Sequence, residues 1–259
     1  MKISIITSTF NSENVLQDCL ASLVTQDYED VEHIFVDGAS SDSTVLILRS
    51  KLGKKNKLIS EPDSGIYDAL NKGIFIANGS IIGVLHSDDI YSNTFVLSLV
   101  AENFIKNPDL DMVIGNVEFF DGTLPIKILR IYRSEFFRSW MFRFGFMPAH
   151  TATFVKKEIY EKFGNYKTDF ESAADFEFFL RTIGTGKVRY KFLNTTLVKM
   201  KVGGKSTSGF KSYVRTSAEI LKALKMHKIY SNMLFIYVRL PIKFIFKCTY
   251  LISRFLKKS

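Results

Sequence analysis

Two adjacent carboxylates, Asp88 and Asp89, follow an apolar strand-like segment in the stretch VLHSDDIY, residues 84–91. Like charges in contact repel each other unless water or a cation screens them, so the pair needs a physical explanation. One explanation is helix capping, because the following YSNTFVLSLVAENFIKN has a helical pattern and carboxylates are favourable at a helix N-terminus. The other is a bound divalent cation. The pair alone leaves both explanations open.

Further carboxylates stand at the ends of other predicted strands. Asp37 ends a second apolar strand, and Glu61 and Asp63 follow a third. Because the carboxyl ends of parallel strands meet at one edge of a sheet, we expect these acids to converge there with Asp88. Converging oxygen ligands suit Mg²⁺ or Mn²⁺, so the set favours a cation site over capping alone.

The elements that must position these acids alternate between strand and helix. The predicted strands are ISIITSTF, VEHIFVD, KLISEP and SIIGVLH. The predicted helices are SENVLQDCLASLVTQ, SDSTVLILRSKL, GIYDALNKGIFIAN and NTFVLSLVAENFIKN. This alternation predicts an α/β, Rossmann-like fold, with a mostly parallel central sheet, helices on both faces and a ligand site at the carboxyl ends of the strands. The segment TSTFNSE after the first strand lacks a glycine-rich phosphate loop, which disfavours a dinucleotide fold and a P-loop.

Charge is distributed unevenly along the 259 residues, whose net charge is +9. Residues 211–259 contain eleven Lys or Arg and one Asp or Glu, which leaves residues 1–210 with 24 basic and 25 acidic side chains. A nucleic-acid binder more often spreads its charge over a groove, so no nucleic-acid partner is expected. Cys19 and Cys248 fit no metal spacing or disulfide framework, and the N-terminal apolar run is too short for a secretory signal. A cytoplasmic location is predicted.

Several motifs together resemble the family 2 glycosyltransferases of the GT-A fold, which are nucleotide-sugar-dependent inverting enzymes. The matching segments, in family order, are ISIITSTFNSE, VEHIFVDGASSDST, SEPDSGIYDALNKGI, ANGSIIGVLHSDD, PAHTATFVKKEIYEKFGNY and SAADFEFFLR. Each segment is weak alone, but the ordered set is specific. The resemblance implies a GT-A domain over residues 1–210, with a nucleotide-sugar half at 1–110 and an acceptor half at 111–210.

The resemblance also implies which residues bind the donor. The positions that match the family's nucleotide-sugar contacts are Thr9, Glu13, Asp37, Asp63, Asn71 and Lys72. The first three match contacts to the base and ribose, and the last three line the pocket.

The family's metal-binding carboxylate falls on Asp88, which would hold Mn²⁺ or Mg²⁺. The family often has an aspartate two residues earlier, where this chain has His86. His86 or Ser87 would then make the ribose contact. Asp89 is placed beside the cofactor as a cap or supporting group.

The acceptor half carries the predicted general base. Asp175 matches the family's catalytic carboxylate at the start of an amphipathic helix, and Glu177 is the lesser candidate because it faces elsewhere on that helix. His150 matches a recurrent histidine that touches metal, diphosphate or acceptor. In GGKSTSGF, residues 203–210, Lys205 belongs to a loop that closes over the diphosphate, or to a plain linker.

These assignments imply transfer of a hexose from a UDP-sugar (UDP-Glc, UDP-Gal or an N-acetyl form) to a lipid-diphosphate-linked saccharide. The motif SEPDSGIYDALNKG resembles the corresponding motif of a bacterial subgroup of enzymes that build O-antigen, capsule or exopolysaccharide. Inversion gives a β-linkage from an α-linked donor. Two alternatives are a sugar nucleotidyltransferase, which expects a glycine-rich basic signature after the first strand, and a noncatalytic basic adaptor for membrane or nucleic acid.

The basic segment 211–259 is predicted to associate with a membrane. A helical projection places Arg239, Lys243, Lys247 and the later basic residues on one face, opposite Phe, Ile and Leu. No uncharged run reaches the ~18 residues of a spanning helix, so an in-plane interfacial helix is expected. The protein is therefore predicted to lie peripherally at the inner face of the bacterial cytoplasmic membrane.

Overall fold

The computed structural model describes residues 1–51, 53, 55–122, 126–202 and 210–242. The strands are β1 (Ile3–Thr9), β2 (Val31–Asp37), β3 (Asn56–Ser60), β4 (Ile81–Val84), β5 (Asp89–Tyr91), β6 (Met112–Phe120), β7 (Ile128–Tyr132), β8 (Thr153–Lys156) and β9 (Tyr190–Lys201). The helices are α1 (Leu16–Val24), α2 (Thr44–Ser50), α3 (Ile66–Ile76), α4 (Val96–Lys106), α5 (Lys157–Phe163), α6 (Ala174–Phe179), α7 (Phe210–Met226) and α8 (Met233–Tyr237). Short 3-10 segments span Ser134–Phe136, Ser139–Phe144 and His150–Ala152, and a π-helical turn, Leu180–Gly184, follows α6.

The strands that the structure describes form one nine-stranded sheet in the order β3-β2-β1-β4-β8-β6-β9-β5, with β7 paired to β6. The first four strands are parallel, as the alternating pattern predicts. The second half is mixed, because β8 runs antiparallel to both β4 and β6, while β9 is parallel to β6. The α/β fold is therefore confirmed, with parallel pairing concentrated in the half that carries Asp37 and Asp63.

Helices cover both faces of this sheet. Successive residues of β1 point to opposite faces, so Ile5 belongs to one buried cluster and Ile6 to the other. The Ile5 cluster takes in the apolar sides of α1 and α4, and the Ile6 cluster takes in those of α3, α6 and α7. Burial on both faces explains why the parallel strands are almost continuously apolar.

The helix after the Asp88–Asp89 pair begins later than a capping role requires. α4 starts at Val96 after Phe95, and the intervening residues Asp89–Tyr91 form β5, which pairs with β9. Asp88 and Asp89 therefore do not cap α4. The sequence pattern missed β5 because a strand of three residues has no readable periodicity.

Helices α7 and α8 pack onto the rest of the domain. Ile220, Leu224 and Ile236 are buried in the same cluster as the aromatic residues of α6. Part of the described range 211–242 thus packs on the same core as the preceding domain, and the predicted domain boundary at residue 210 stays a prediction. None of the described helices is long and apolar enough to span a bilayer.

Arg239 corrects part of the predicted basic face. Its side chain is buried, and it donates hydrogen bonds to the hydroxyls of Ser217 (2.7 Å) and Tyr213 (3.1 Å). Arg239 is therefore a structural residue that joins α8 to α7. The rest of the predicted interfacial helix, residues 243–259, lies outside the described residues.

Candidate active site

Asp37 organises the carboxyl ends of the first three strands. Its carboxylate is fully buried, and Oδ1 accepts a hydrogen bond from Thr9 Oγ1 at 3.0 Å. Oδ2 accepts from the backbone N–H of Ser40 (2.9 Å) and from Ser60 Oγ (3.0 Å). The structure therefore brings Thr9 and Asp37 together, as the sequence predicts. These hydrogen bonds connect the ends of β1, β2 and β3, and we call this surface the floor of the site.

Two loops above this floor brace each other. The Asn11 side chain accepts from the backbone N–H of Ser41 (2.9 Å), and both Asn11 (φ 49°) and Ala39 (φ 60°) have left-handed backbones. Glu13 Oε2 accepts from the backbone N–H of Ser43 at 2.9 Å, at the start of α2. Glu13 was predicted to contact the nucleotide. In the structure its carboxylate contacts the N-terminus of α2, where negative charge is favourable, and the nucleotide contact stays a prediction.

The side chain of Asp63 lies close to Gly38, the residue that follows Asp37. A Cβ on Gly38 would stand 2.6 Å from Asp63 Oδ2, so only glycine leaves room for this approach. Asp63 Oδ1 accepts from the backbone N–H of Gly65 at 2.9 Å. The predicted convergence of strand-end acids is therefore real for Asp37 and Asp63. It does not produce a cluster, because no group of three His, Cys, Asp or Glu side chains among the described residues is arranged to hold a metal.

The side chains of Asn71 and Lys72 both bond to other parts of the protein. The Asn71 side chain donates to the carbonyl of Tyr166 (2.8 Å) and accepts from its N–H (3.0 Å), so both ends of the amide are occupied. Lys72 Nζ lies 2.9 Å from Glu61 Oε1 and donates to the carbonyl of Pro62 at 2.9 Å. Their predicted role in lining the nucleotide-sugar pocket stays a prediction. Asn71 positions Tyr166, and Lys72 fixes the segment that leads to Asp63.

The turn after β4 carries two polar side chains, Asp88 and His86, with atoms that lack a partner among the residues that the structure describes. The carboxylate of Asp88 is half-buried and makes no hydrogen bond or ion pair with the residues that the structure describes. His86 Nδ1 is buried and also lacks a partner among them. Burial and the nearby His150 lower the pKa of His86 to about 4, so its imidazole is neutral at physiological pH. Ser87 Oγ lies 3.0 Å from Ser12 Oγ, which joins this turn to the loop after β1.

Asp89 is separated from this polar group. Its side chain is only 1% exposed, and neither carboxyl oxygen has a partner among the described residues. Burial, followed by repulsion from Asp88, raises its pKa well above the usual range. Asp89 does not cap α4, and its predicted supporting role beside the cofactor stays a prediction. Asp89 lies in β5 on the side of α1, near Cys19, whose thiol pKa is raised mainly by burial and further by Asp89.

Asp175 is the second residue of α6, as predicted, and has two hydrogen-bond donors on one oxygen. Oδ1 accepts from the Tyr67 hydroxyl (3.0 Å) and from the backbone N–H of Phe176 (2.8 Å). Burial raises the pKa of Asp175 to about 6, although both donors act in the opposite direction. Because Oδ1 is occupied, Oδ2 is the oxygen available for a proton. A carboxyl that titrates near neutral pH suits a general base.

A row of side chains connects His86 to Asp175. The rings of His86 and His150 lie 6.0 Å apart, and His150 Nε2 lies 2.8 Å from the Tyr166 hydroxyl. The Tyr166 ring lies 5.8 Å from the ring of Tyr67, whose hydroxyl reaches Asp175. The structure thus places His150 between the two halves of the site, with its pKa lowered to about 4 by burial.

Glu177 belongs to a structural ion network. Its side chain is fully buried, Oε2 lies 3.1 Å from the Arg181 guanidinium, and Oε1 lies 2.8 Å from His227 Nε2. Arg181 in turn donates to the carbonyls of Gly164 and Asn165. These contacts occupy both carboxylate oxygens of Glu177, which leaves Asp175 as the candidate base on α6.

Sequence reasoning missed Tyr67 and Tyr166. Tyr67 stands inside the motif SEPDSGIYDALNKG, and Tyr166 ends the segment EKFGNY, so both were within reach of a motif search. Their roles depend on contacts across 108 and 16 residues of chain, which no local pattern shows. Lys205 falls outside the described residues.

Comparison with known proteins finds a matching family and related glycosyltransferase sequences. The model of the family named Glycosyl transferase family 2 matches residues 4–164. An uncharacterised glycosyltransferase of Mycobacterium tuberculosis is 33% identical over 188 residues, which is 69% of this chain and 68% of the relative. A PGL/p-HBAD biosynthesis glycosyltransferase of the same species is 28% identical over 216 residues, or 79% of each chain.

Solved structures share the fold. Staphylococcus aureus TarS 1–349 in complex with UDP-GlcNAc has a TM-score of 0.67 at 20% identity, and the match covers 86% of this chain and 66% of that one. TarS 1–349 alone has a TM-score of 0.66, and the present chain covers 65% of its length. A mannosyltransferase of Pyrobaculum calidifontis, solved with GDP-Man and Mn²⁺, has a TM-score of 0.66 at 17% identity and covers 97% of this chain and 74% of that one. The chain belongs to glycosyltransferase family 2 and has the GT-A fold.

Proposed function

We propose that this enzyme transfers a hexose from a UDP-sugar to a saccharide linked to a lipid diphosphate, with inversion at the anomeric carbon. The observation that carries the reaction type is Asp175, a carboxylate with one free oxygen and a pKa of about 6. A sugar hydroxyl is a weak nucleophile and must lose its proton as it attacks. Family membership and this base favour sugar transfer over the nucleotidyltransferase and adaptor alternatives.

The step is a single displacement. The acceptor oxygen forms a bond to the anomeric carbon while the bond from that carbon to the diphosphate oxygen breaks. The hydroxyl proton passes to Oδ2 of Asp175, and the electron pair of the broken bond leaves with UDP. Attack from the face opposite the leaving group inverts the configuration, so an α-linked donor gives a β-linked product.

Thr9, Asp37 and Asp63 form the floor on which the nucleotide would lie. The TarS structures with UDP and UDP-GlcNAc support a uridine donor, whereas the Pyrobaculum enzyme carries GDP-Man. UDP-Glc, UDP-Gal and their N-acetyl forms all satisfy the proposal. His86, whose Nδ1 lacks a partner among the described residues, is available to accept a hydrogen bond from the ribose.

A divalent cation, Mn²⁺ or Mg²⁺, fits the residues at the end of β4. Asp88 offers a half-buried carboxylate with no hydrogen bond or ion pair to the described residues, and Mg²⁺-like ions commonly use one or two carboxylates together with substrate phosphates. Such an ion would act as a Lewis acid toward the leaving diphosphate. The Mn²⁺ bound by the Pyrobaculum enzyme supports this choice.

The lipid-linked acceptor and a role in O-antigen or related polysaccharide assembly rest on the resemblance of SEPDSGIYDALNKG and on the basic residues 211–259. Transfer would then take place at the cytoplasmic face of the membrane. The test is release of UDP from a panel of UDP-hexoses, measured with and without Mn²⁺ and with and without a short-chain lipid-diphosphate saccharide. Acceptor-dependent UDP release supports the proposal, and release that is independent of every acceptor contradicts it.

A further inference from the structure

An exposed surface away from the donor site joins the 3-10 segment Ser139–Phe144 to α8 and the loop before it. We call it the aromatic-basic face, and its residues are Trp140, Arg143, Phe144, Lys228, Tyr230, Leu234, Phe235 and Val238. Its rings form a continuous row, with centroid distances of 5.9 Å for Trp140–Phe144, 5.2 Å for Phe144–Phe235 and 6.2 Å for Tyr230–Phe235. The row is a defined part of the surface.

Large apolar side chains of this face are exposed to solvent. Leu234 is 77% exposed, Tyr230 is 70% exposed and Trp140 is 67% exposed. Ser231 Oγ donates to the carbonyl of Arg143 at 2.7 Å, which holds the two segments in fixed relation. A contiguous exposed apolar surface with a fixed shape indicates an interaction site.

The two stretches of chain that form this face carry a single sign of charge. No Asp or Glu occurs in residues 136–157 or in residues 220–259, the two stretches that form and border it. Arg143 and Lys228 are exposed among its aromatic side chains. Two copies of this face would bring like charges together, so the charge favours an anionic partner over a second copy of the chain.

The segment that exposes Trp140 and Arg143 also packs against α6, the helix that carries Asp175. Phe142, in the middle of the segment that exposes Trp140 and Arg143, is buried and packs edge-on against Phe176 with ring centroids 5.6 Å apart. Phe176 follows Asp175. Beyond α8 the sequence continues into residues 243–259, which contain five Lys or Arg and no acid.

We propose that the aromatic-basic face docks on the surface of an anionic lipid bilayer. Trp and Tyr prefer the boundary between headgroups and acyl chains, and Lys and Arg beside them reach anionic headgroups. The sequence assigned membrane contact only to residues 211–259. The structure adds Trp140 and Phe144 from a different part of the chain, in the segment that packs against α6 through Phe142. Docking does not depend on the identity of the donor or acceptor.

The test uses the full chain and vesicles of phosphatidylglycerol with phosphatidylcholine, compared with phosphatidylcholine alone, in co-sedimentation. Trp140→Ser combined with Leu234→Ser should lower partitioning onto the anionic vesicles about tenfold. The matched control is Phe75→Ser with Leu46→Ser, which removes side chains that are 83% and 72% exposed elsewhere, and it should bind like the parent protein. Arg143→Glu with Lys228→Glu should abolish the preference for anionic vesicles.

Thermal melts would test whether each variant is folded. UDP release in the presence of a short soluble acceptor would measure catalysis separately from vesicle binding. The proposal is supported if the face variant loses vesicle binding while that activity is kept. It is overturned if the face variant binds as well as the control, or if the parent protein shows no preference for anionic vesicles. It is also overturned if sedimentation shows that the substitutions instead dissociate a dimer or a complex with another protein.

Discussion

Tyr67, near the start of α3, donates its hydroxyl hydrogen to Oδ1 of Asp175 at a distance of 3.0 Å, across 108 residues of chain. The backbone N–H of Phe176 donates to the same oxygen. Two donors on Oδ1 restrain the rotation of the carboxylate and leave Oδ2 without these contacts. A residue of the first half of the chain therefore positions the carboxylate that we propose as the base.

The first prediction concerns the pH dependence of the parent enzyme. Burial raises the pKa of Asp175 to about 6, and a general base is active only when it is deprotonated. Turnover should therefore fall as the pH decreases through about 6. The measurement is kcat against pH at saturating donor. A profile that stays flat between pH values well below and well above this pKa would exclude Asp175 as the titrating base.

Tyr67→Phe should move this acid limb to higher pH. The tyrosine hydroxyl stabilises the charged carboxylate and lowers its pKa, so its removal favours the protonated form. We also expect kcat to fall by about tenfold, the size of one hydrogen bond to a charged group, with little change in KM for the donor.

Tyr160→Phe is the matched control for Tyr67→Phe. Tyr160 is also a buried tyrosine, but its hydroxyl contacts Tyr166 (3.1 Å) instead of Asp175. This variant should keep the parental acid limb. If both variants shift the limb equally, or neither does, the contact between Tyr67 and Asp175 does not position the base.

Asp88→Asn and Asp89→Asn form a second matched pair. Asp88 has a half-buried carboxylate beside His86, whereas the side chain of Asp89 is buried on the side of α1. Asp88→Asn should abolish the stimulation of UDP release by Mn²⁺, and Asp89→Asn should retain it. Titration of UDP release against Mn²⁺ measures both. Equal stimulation of the two variants would remove Asp88 from the cation site.

Glu177→Gln should reduce stability and not turnover. It removes the charge from a fully buried carboxylate that pairs with Arg181 and His227, which leaves the guanidinium without its counter-ion. Loss of one partner of a buried pair costs about 3 kcal/mol of the free energy of unfolding, which urea denaturation would detect. Glu171→Gln, at an exposed pair with Arg215, should cost less than about 1 kcal/mol. A large loss of turnover in folded Glu177→Gln would make Glu177 a second candidate base.

Local sequence patterns predict much of the first half of the fold. β1 and β2 are largely apolar runs that end at Thr9 and Asp37, β4 is an apolar run, and the helices between them have clear helical periodicity. Parallel order follows from this alternation, and parallel order places Asp37 and Asp63 at one edge. The position of Asp175 at the start of α6 was predicted from its motif, whereas its contact with Tyr67 depends on a segment 108 residues away.

Other features depend on tertiary packing. The orientation of Asp89 is set by the pairing of β5 with β9, more than a hundred residues away in the chain. Arg239 matched the basic stripe of a helical projection but is buried by its contacts with α7. Asn71 matched a pocket motif, yet both ends of its amide bond to Tyr166. In each case the side chain's partner comes from a distant segment, so spacing along the sequence could not identify it.

The most direct test of Asp175 as the catalytic base is the turnover number of Asp175→Asn, measured together with the affinity of this variant for the UDP-sugar. Asparagine keeps the shape of the side chain but cannot take the proton from the acceptor, so kcat should fall roughly 10²- to 10⁴-fold. The donor dissociation constant, measured by calorimetry with Mn²⁺ present, should stay at the parental value. Retained turnover, or a collapse of donor affinity with an unchanged kcat, would contradict the assignment of Asp175 as the catalytic base.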